Sequence, residues 1–212
     1  MRGKFVVMIG MDGSGKSTVL QSLIERGLKV ADWKDLREYE EISYSAPEEP
    51  HTIRNRLKPL SRSLFVASHI VAEYEYLIEP IINKGISIVL DSYYYRSLAK
   101  EAIYGKNDPI FHTICTSLPQ PDYIIDLKVD PEIAFERKVK ARAGTLGVSE
   151  FFNEPTLSDF INFQKRVRDL ISIYTNRIPI MEIDSSKKRE EVLREVMSCL
   201  GGIGFSESLI AT

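Results

Sequence analysis

The stretch Gly10-Met11-Asp12-Gly13-Ser14-Gly15-Lys16-Ser17-Thr18 follows directly on the apolar run Phe5-Val6-Val7-Met8-Ile9. It is followed by Val19, Leu20, Leu23 and Ile24 at helical spacing. A short apolar run, a glycine-rich turn and an amphipathic segment predict a buried strand, a tight loop and a helix. Glycine at each fixed position lets backbone N–H groups turn inward, where a Cβ would block close approach. The N-terminus of the following helix adds its partial positive charge. The spacing G-x-x-x-x-G-K-[ST] therefore predicts a cradle for the phosphates of a nucleoside triphosphate. Lys16 reaches the outer phosphates and the Ser17 hydroxyl is a ligand for Mg²⁺. Gly10, Asp12, Gly13, Ser14, Gly15, Lys16, Ser17 and Thr18 form the expected nucleoside triphosphate-binding set.

Further apolar runs of strand length stand at 86–90, 123–129 and 179–183, with a weaker candidate at 28–33. Helical patterns fall between them near 15–26, 60–83, 94–104, 131–142, 156–176 and 187–199. That alternation predicts a three-layer α/β fold of the P-loop NTPase kind. Its mainly parallel five-stranded sheet would carry helices on both faces. The clearest helix is 60–83, where Leu60, Leu64, Ala67, Val71, Tyr74, Ile78 and Ile81 are expected to form one apolar stripe. Residues 143–157, rich in turn formers, are expected to be a flap (a LID) or a plain surface loop. The tail 201–212 carries no signal.

A chain of 212 residues fits one domain, 1–212, with a sizeable core. The net charge of −2 gives no footprint for nucleic-acid or membrane-surface binding. Cys115 and Cys199 form neither a metal-ligand spacing nor a disulfide framework, which fits a reducing compartment. No stretch approaches the ~18 uninterrupted apolar residues of a membrane span. A cytoplasmic enzyme without nucleic-acid or membrane partners is expected.

The apolar run 86–90 ends in Asp91, which is suited to the Mg²⁺ shell beside the loop; capping of the next turn is the bland alternative. An N-K-x-D segment for guanine is absent, since Asn83-Lys84-Gly85-Ile86 lacks the aspartate. The acidic residue that activates water in ATPase motors is also missing, because Asp91 is followed by Ser92. Transfer to a bound acceptor fits better than hydrolysis.

Over roughly residues 4–198 the chain resembles the thymidylate kinase family of nucleoside monophosphate kinases. The glycine-rich loop is similar to the family's G-x-D-G-S-G-K-S-T. Leu64-Phe65-Val66-Ala67-Ser68-His69 resembles L-F-x-A-x-R, and Asp91-Ser92-Tyr93 with Ser97-Leu98-Ala99 resembles D-R-Y…S-x-A. Leu118-Pro119-Gln120-Pro121-Asp122 and Asp130-Pro131-Glu132-Ile133-Ala134-Phe135-Glu136-Arg137 resemble L-P-x-P-D and D-P-E-x-A-x-E-R. Phe160-Ile161-Asn162-Phe163 with Arg166-Val167-Arg168 resembles the helix after the flap.

The resemblance implies ATP as donor with Mg²⁺, a nucleoside monophosphate as acceptor, and a homodimer built from helix faces. It implies that Asp12 approaches the acceptor sugar and that Phe65 stacks on its base. Lys16, Asp91, Arg137 and Arg142 would serve the transfer itself. For Arg137 and Arg142 the alternative is a solvated helix face shared with Lys138 and Lys140.

The departures fall on the acceptor side. His69 and Ser92 stand where the family has arginines, and Lys100-Glu101 stand where it has Y-Q. Arg96, or Arg54, Arg56 or Arg62 upstream, is the expected substitute for the acceptor-phosphate ligand. His69 and Tyr93 are candidates to line the acceptor pocket, with core packing as the alternative for Phe65, His69 and Tyr93 alike. Thymidylate is the expected acceptor. Another pyrimidine or modified nucleotide, a deoxynucleoside, or ATP binding without catalysis are the other readings.

Overall fold

The computed structural model describes residues 1–31, 57–105, 108–140 and 156–205. Arg54, Arg56, Arg142, the flap residues 143–155 and the tail residues 206–212 lie outside them.

Five strands form one sheet in the order β2-β3-β1-β4-β5, and every adjacent pair is parallel. They are β1 (Phe5–Gly10), β2 (Lys29–Ala31), β3 (Ile88–Asp91), β4 (Tyr123–Lys128) and β5 (Ile180–Asp184). Parallel strands covered on both faces must be apolar throughout. Phe5, Val6, Val7 and Met8 of β1 are all at 0% exposure, as are Ile88, Val89 and Leu90 of β3. One face packs against a cluster containing Phe5, Val7, Ile70, Ile78, Tyr94, Tyr95 and Phe111. The other packs against Val19, Leu20, Leu23, Val192, Val196 and Leu200.

The helices supplying these layers are α1 (Lys16–Glu25), α2 (Pro59–Ala72), α3 (Glu79–Asn83), α4 (Tyr93–Ile103), α5 (Pro109–Ser117), α6 (Pro131–Lys140), α7 (Leu157–Thr175) and α8 (Arg189–Gly202). The α7 start is fixed by a capping box, in which Thr156 and Asp159 satisfy each other's backbone N–H groups.

Two expectations change. The segment Pro109–Ser117 is helical, with Asp108 accepting from the Ile110 N–H and Pro109 in the first turn. The long helix also buries only part of the expected stripe, at Ala67, Tyr74 and Ile78. Leu60 and Leu64 are 51% and 44% exposed, whereas Val66, Ile70, Tyr74, Ile78 and Ile82 face the core. Those buried positions recur at strict steps of four. On a regular helix that spacing drifts around the axis by about 40° per step. A wider π-helical turn over Glu73–Ile78, between α2 and α3, absorbs part of the drift and keeps the row on the sheet.

Candidate active site

The register pairs Met8 with Asp91, so the end of β3 lies beside the strand that leads into the glycine-rich loop. The strand order reverses at β1, which has β3 on one side and β4 on the other, all running parallel. Open parallel sheets bind ligands at such a switch point, beyond the carboxyl ends of the strands. A cleft of about 560 Å³ lies there. Its wall is formed by residues 11–19 with Asp91, Arg96, Arg137, Lys138, Ser185, Lys187, Arg189 and Val192.

Two glycines shape the loop in different ways. Gly13 has φ +86° and lies against α6, where an added Cβ would stand 2.2 Å from the Ala134 carbonyl oxygen. Gly15 caps α1 in the left-handed region at φ +89°, with open space around it. The Lys16 ammonium donates to the Gly10 carbonyl at 3.2 Å, folding its chain back along the loop. Burial, with the Arg96 charge nearby, pulls Lys16 below the ordinary lysine value; Asp91 and Asp12 oppose that shift. Ser17 and Thr18 are exposed on the cleft wall. The Ser14 hydroxyl is buried without a hydrogen-bond partner among the described residues.

Asp12 is held from two sides. The Arg96 guanidinium, on the first turns of α4, donates to Asp12 Oδ1. The Gln164 amide, on α7, donates to Oδ2 at 3.2 Å, while its Oε1 accepts the Asp12 backbone N–H at 3.2 Å. Burial alone would raise the Asp12 carboxyl, but Arg96, Lys100 and Lys16 hold it well below the usual carboxylate range. Gln164 was not among the expected site residues. Its only sequence signal is its place in the segment after the flap, directly behind the quoted Phe163.

Asp91 accepts a hydrogen bond from the Ser92 hydroxyl at 2.6 Å. Ser92 and Tyr93 both have positive φ, 65° and 45°. Two consecutive left-handed non-glycine residues are costly, and such strain is characteristic of functional sites. The turn lets the chain leave β3 at Asp91 and enter α4 within one residue, which brings Arg96 back over the loop.

The other expected residues are placed less uniformly. Arg137 lines the cleft, but its guanidinium donates to the carbonyl of Ser185 at 2.9 Å, on the loop between β5 and α8. Arg62 is fully buried in a bidentate pair with Glu101, so it is not presented to the cleft. Tyr93 is a core residue, 4% exposed, packed edge-on against Phe5, with its hydroxyl donating to the Pro119 carbonyl at 3.2 Å. Its body fills the sheet-facing side of α4 and does not line the described cleft.

Phe65 and His69 also stand outside that cleft. Phe65 is partly buried against the core, with the His69 ring 4.7 Å away and tilted by 47°. The Phe65 carbonyl can only accept, so the 2.9 Å contact places a proton on His69 Nδ1 and commits that nitrogen within the helix.

No helix among the described residues is long and apolar enough to cross a membrane. The described residues also contain no group of three or more His, Cys, Asp or Glu able to hold a metal by themselves. Ser17 and Asp91 nevertheless present a hydroxyl and a carboxylate to one cleft. That hard-oxygen set fits Mg²⁺ completed by phosphate oxygens and water.

The arrangement lines one cleft with the glycine-rich loop, a clasped carboxylate and a guanidinium. Comparisons with known proteins find relatives over nearly the whole chain. The chain is 25% identical to "Probable thymidylate kinase 2" of Saccharolobus solfataricus, covering 95% of this chain and 97% of that protein. It is 25% identical to a thymidylate kinase of Schizosaccharomyces pombe, covering 98% and 96%. It is 27% identical to one from Francisella philomiragia, covering 93% and 97%. The thymidylate kinase family profile matches residues 9–196, the whole run from the end of β1 into α8, and the chain therefore belongs to the thymidylate kinase family.

Proposed function

We propose that this protein transfers the γ-phosphoryl group of ATP to the phosphate of thymidylate, giving dTDP and ADP. The observation that supports this reading is the meeting of Lys16, Asp91, Asp12 and Arg96 in one cleft. Lys16 and the loop N–H groups hold the donor's phosphates. Asp12 accepts from the acceptor's sugar hydroxyl, and Arg96 supplies the guanidinium that Ser92 lacks. The family places that arginine in the turn; here it stands one helical turn into α4.

Ser17 and Asp91 would hold Mg²⁺, which would supply charge neutralisation for the donor's phosphates. The protein's own residues do the positioning. In-line transfer needs an attacking phosphate oxygen held close to the γ-phosphorus, and charge stabilisation by donors already in place. Arg137 and Arg142, flanking the flap, are the further donors in this reading. Its carbonyl contacts tether Arg137 at the cleft's edge. Residues 143–157 would close over the transfer and exclude water.

Thymidine itself fits less well as acceptor, because it carries no phosphate for the cleft-exposed part of the Arg96 guanidinium to meet. A homodimer through α2, whose Leu60 and Leu64 are exposed, completes the reading and is checked by sedimentation. A cytoplasmic location is expected for an enzyme acting on free nucleotides.

The test is a coupled ADP-release assay with Mg-ATP against a panel of nucleoside monophosphates and thymidine. Preferred turnover of dTMP is expected. Turnover of thymidine alone, or of no acceptor, would overturn the assignment.

A further inference from the structure

Among the described residues, the Arg62–Glu101 pair is the most deeply buried charge contact outside the cleft. Both side chains are at 0% exposure. Arg62 Nε donates to Glu101 Oε2 at 2.6 Å and its terminal nitrogen to Oε1 at 2.7 Å, a parallel two-bond fork. Arg62 lies in the first turns of α2 and Glu101 in the last turns of α4.

A buried ion pair is a poor device for stability alone. Apolar residues of similar volume do as well or better, because both charges must be stripped of water. A guanidinium–carboxylate fork instead fixes direction and distance together, which an apolar contact between the same helices does not.

The two helices it joins carry the acceptor side of the proposed site. Phe65 follows Arg62 by three residues on α2, and Arg96 precedes Glu101 by five on α4. On its other side α4 packs against α7, which carries Gln164. Rotation or sliding of α4 would carry Arg96 off Asp12 and change its spacing from Phe65.

We propose that Arg62 and Glu101 are positioning residues that hold α2 and α4 in register, setting the acceptor end of the site while leaving the ATP end unaffected. This rests on the acceptor-kinase reading above. The donor loop belongs to β1 and α1, on which the pair makes no direct demand.

The test compares the full-length wild type with the double variant Arg62→Met/Glu101→Met, which removes both charges and keeps the space filled. Steady-state kinetics are measured with ATP varied and with dTMP varied, alongside thermal melts. The expected result is a melting temperature at or above wild type and an unchanged KM for ATP. With these, kcat/KM for dTMP should fall on the order of ten- to hundredfold, as sub-ångström to ångström misplacement produces.

Arg62→Lys keeps the charge but loses the planar fork. It should show a smaller fall with the same selectivity for the acceptor, and it carries the comparison if the double variant does not fold. Unchanged dTMP kinetics in a folded variant would overturn the inference. So would a parallel loss of ATP and dTMP parameters tracking the melting temperature, since that marks a purely structural pair. Absence of wild-type turnover with any monophosphate would instead overturn the acceptor reading, and the inference with it.

Discussion

Arg96 of α4 is ion-paired with Asp12 of the glycine-rich loop, two residues 84 apart in sequence. Both side chains stay about one-quarter exposed at the cleft, at 27% and 25%. The pair is thus accessible from the cleft, and it joins the glycine-rich loop to α4.

Arg96→Ala should raise the KM for dTMP by about ten- to hundredfold, the worth of one charge-assisted hydrogen bond to a phosphate. The KM for ATP should change far less. Initial-rate kinetics with each substrate varied separately check this. A KM for dTMP that stays at the wild-type value would assign the acceptor phosphate to another residue.

The Asp12 clasp makes stability pH-dependent with a definite sign. Its folded-state pKa lies below the ordinary aspartate value of 3.8, so the unfolded chain binds the proton more readily. The clasp's contribution is present above that value and is lost as pH falls through the depressed folded-state pKa. The melting-temperature advantage of wild type over Asp12→Asn should therefore be full near neutrality and shrink between about pH 5 and pH 3. An advantage independent of pH over that range would contradict it.

The two loop glycines should respond differently to alanine. At Gly15 only the backbone objects, at about 1–2 kcal/mol for a left-handed alanine. At Gly13 the same backbone cost is joined by a Cβ placed 2.2 Å from the Ala134 carbonyl, so α6 or the loop must move. Melts of the two nucleotide-free variants should rank Gly13→Ala well below Gly15→Ala. Equal melting temperatures would show that the loop does not lie against α6 as described.

Tyr93→Phe separates core from site. Its hydroxyl meets the Pro119 carbonyl inside the protein. Removing it should cost about 1 kcal/mol of stability by the lost hydrogen bond, with the acceptor KM unchanged. A raised acceptor KM at unchanged stability would return Tyr93 to the acceptor pocket.

What the sequence made legible were the features that depend on neighbours along the chain. The run Phe5–Ile9, the glycine spacing and the apolar steps of α1 are local, and strand, loop and helix all fall within a residue or two of expectation. Asp108-Pro109 is likewise a local helix-start signal. The buried face of α2 departs from the expected stripe because the wider turn over Glu73–Ile78 changes the phase of a 3.6-residue period.

The remaining misses are contacts between elements distant in the sequence. Gln164 reaches Asp12 over 152 positions, and Arg62 reaches Glu101 over 39. Neither partner is marked by a local pattern, because strand order and helix packing decide which side chains meet. The same holds for Tyr93. An aromatic residue beside a strand-terminal aspartate can face the cleft or the core, and only the left-handed turn at Ser92 and Tyr93 turns it inward.

The most direct test of phosphoryl transfer follows the label itself. Wild-type protein and Lys16→Ala are incubated with ATP labelled at the γ-phosphorus, Mg²⁺ and dTMP, and the products are separated by chromatography. Label should appear in dTDP with wild type and be nearly absent with Lys16→Ala at an unchanged melting temperature. Label released only as inorganic phosphate, or equal transfer by the Lys16→Ala variant, would contradict the account.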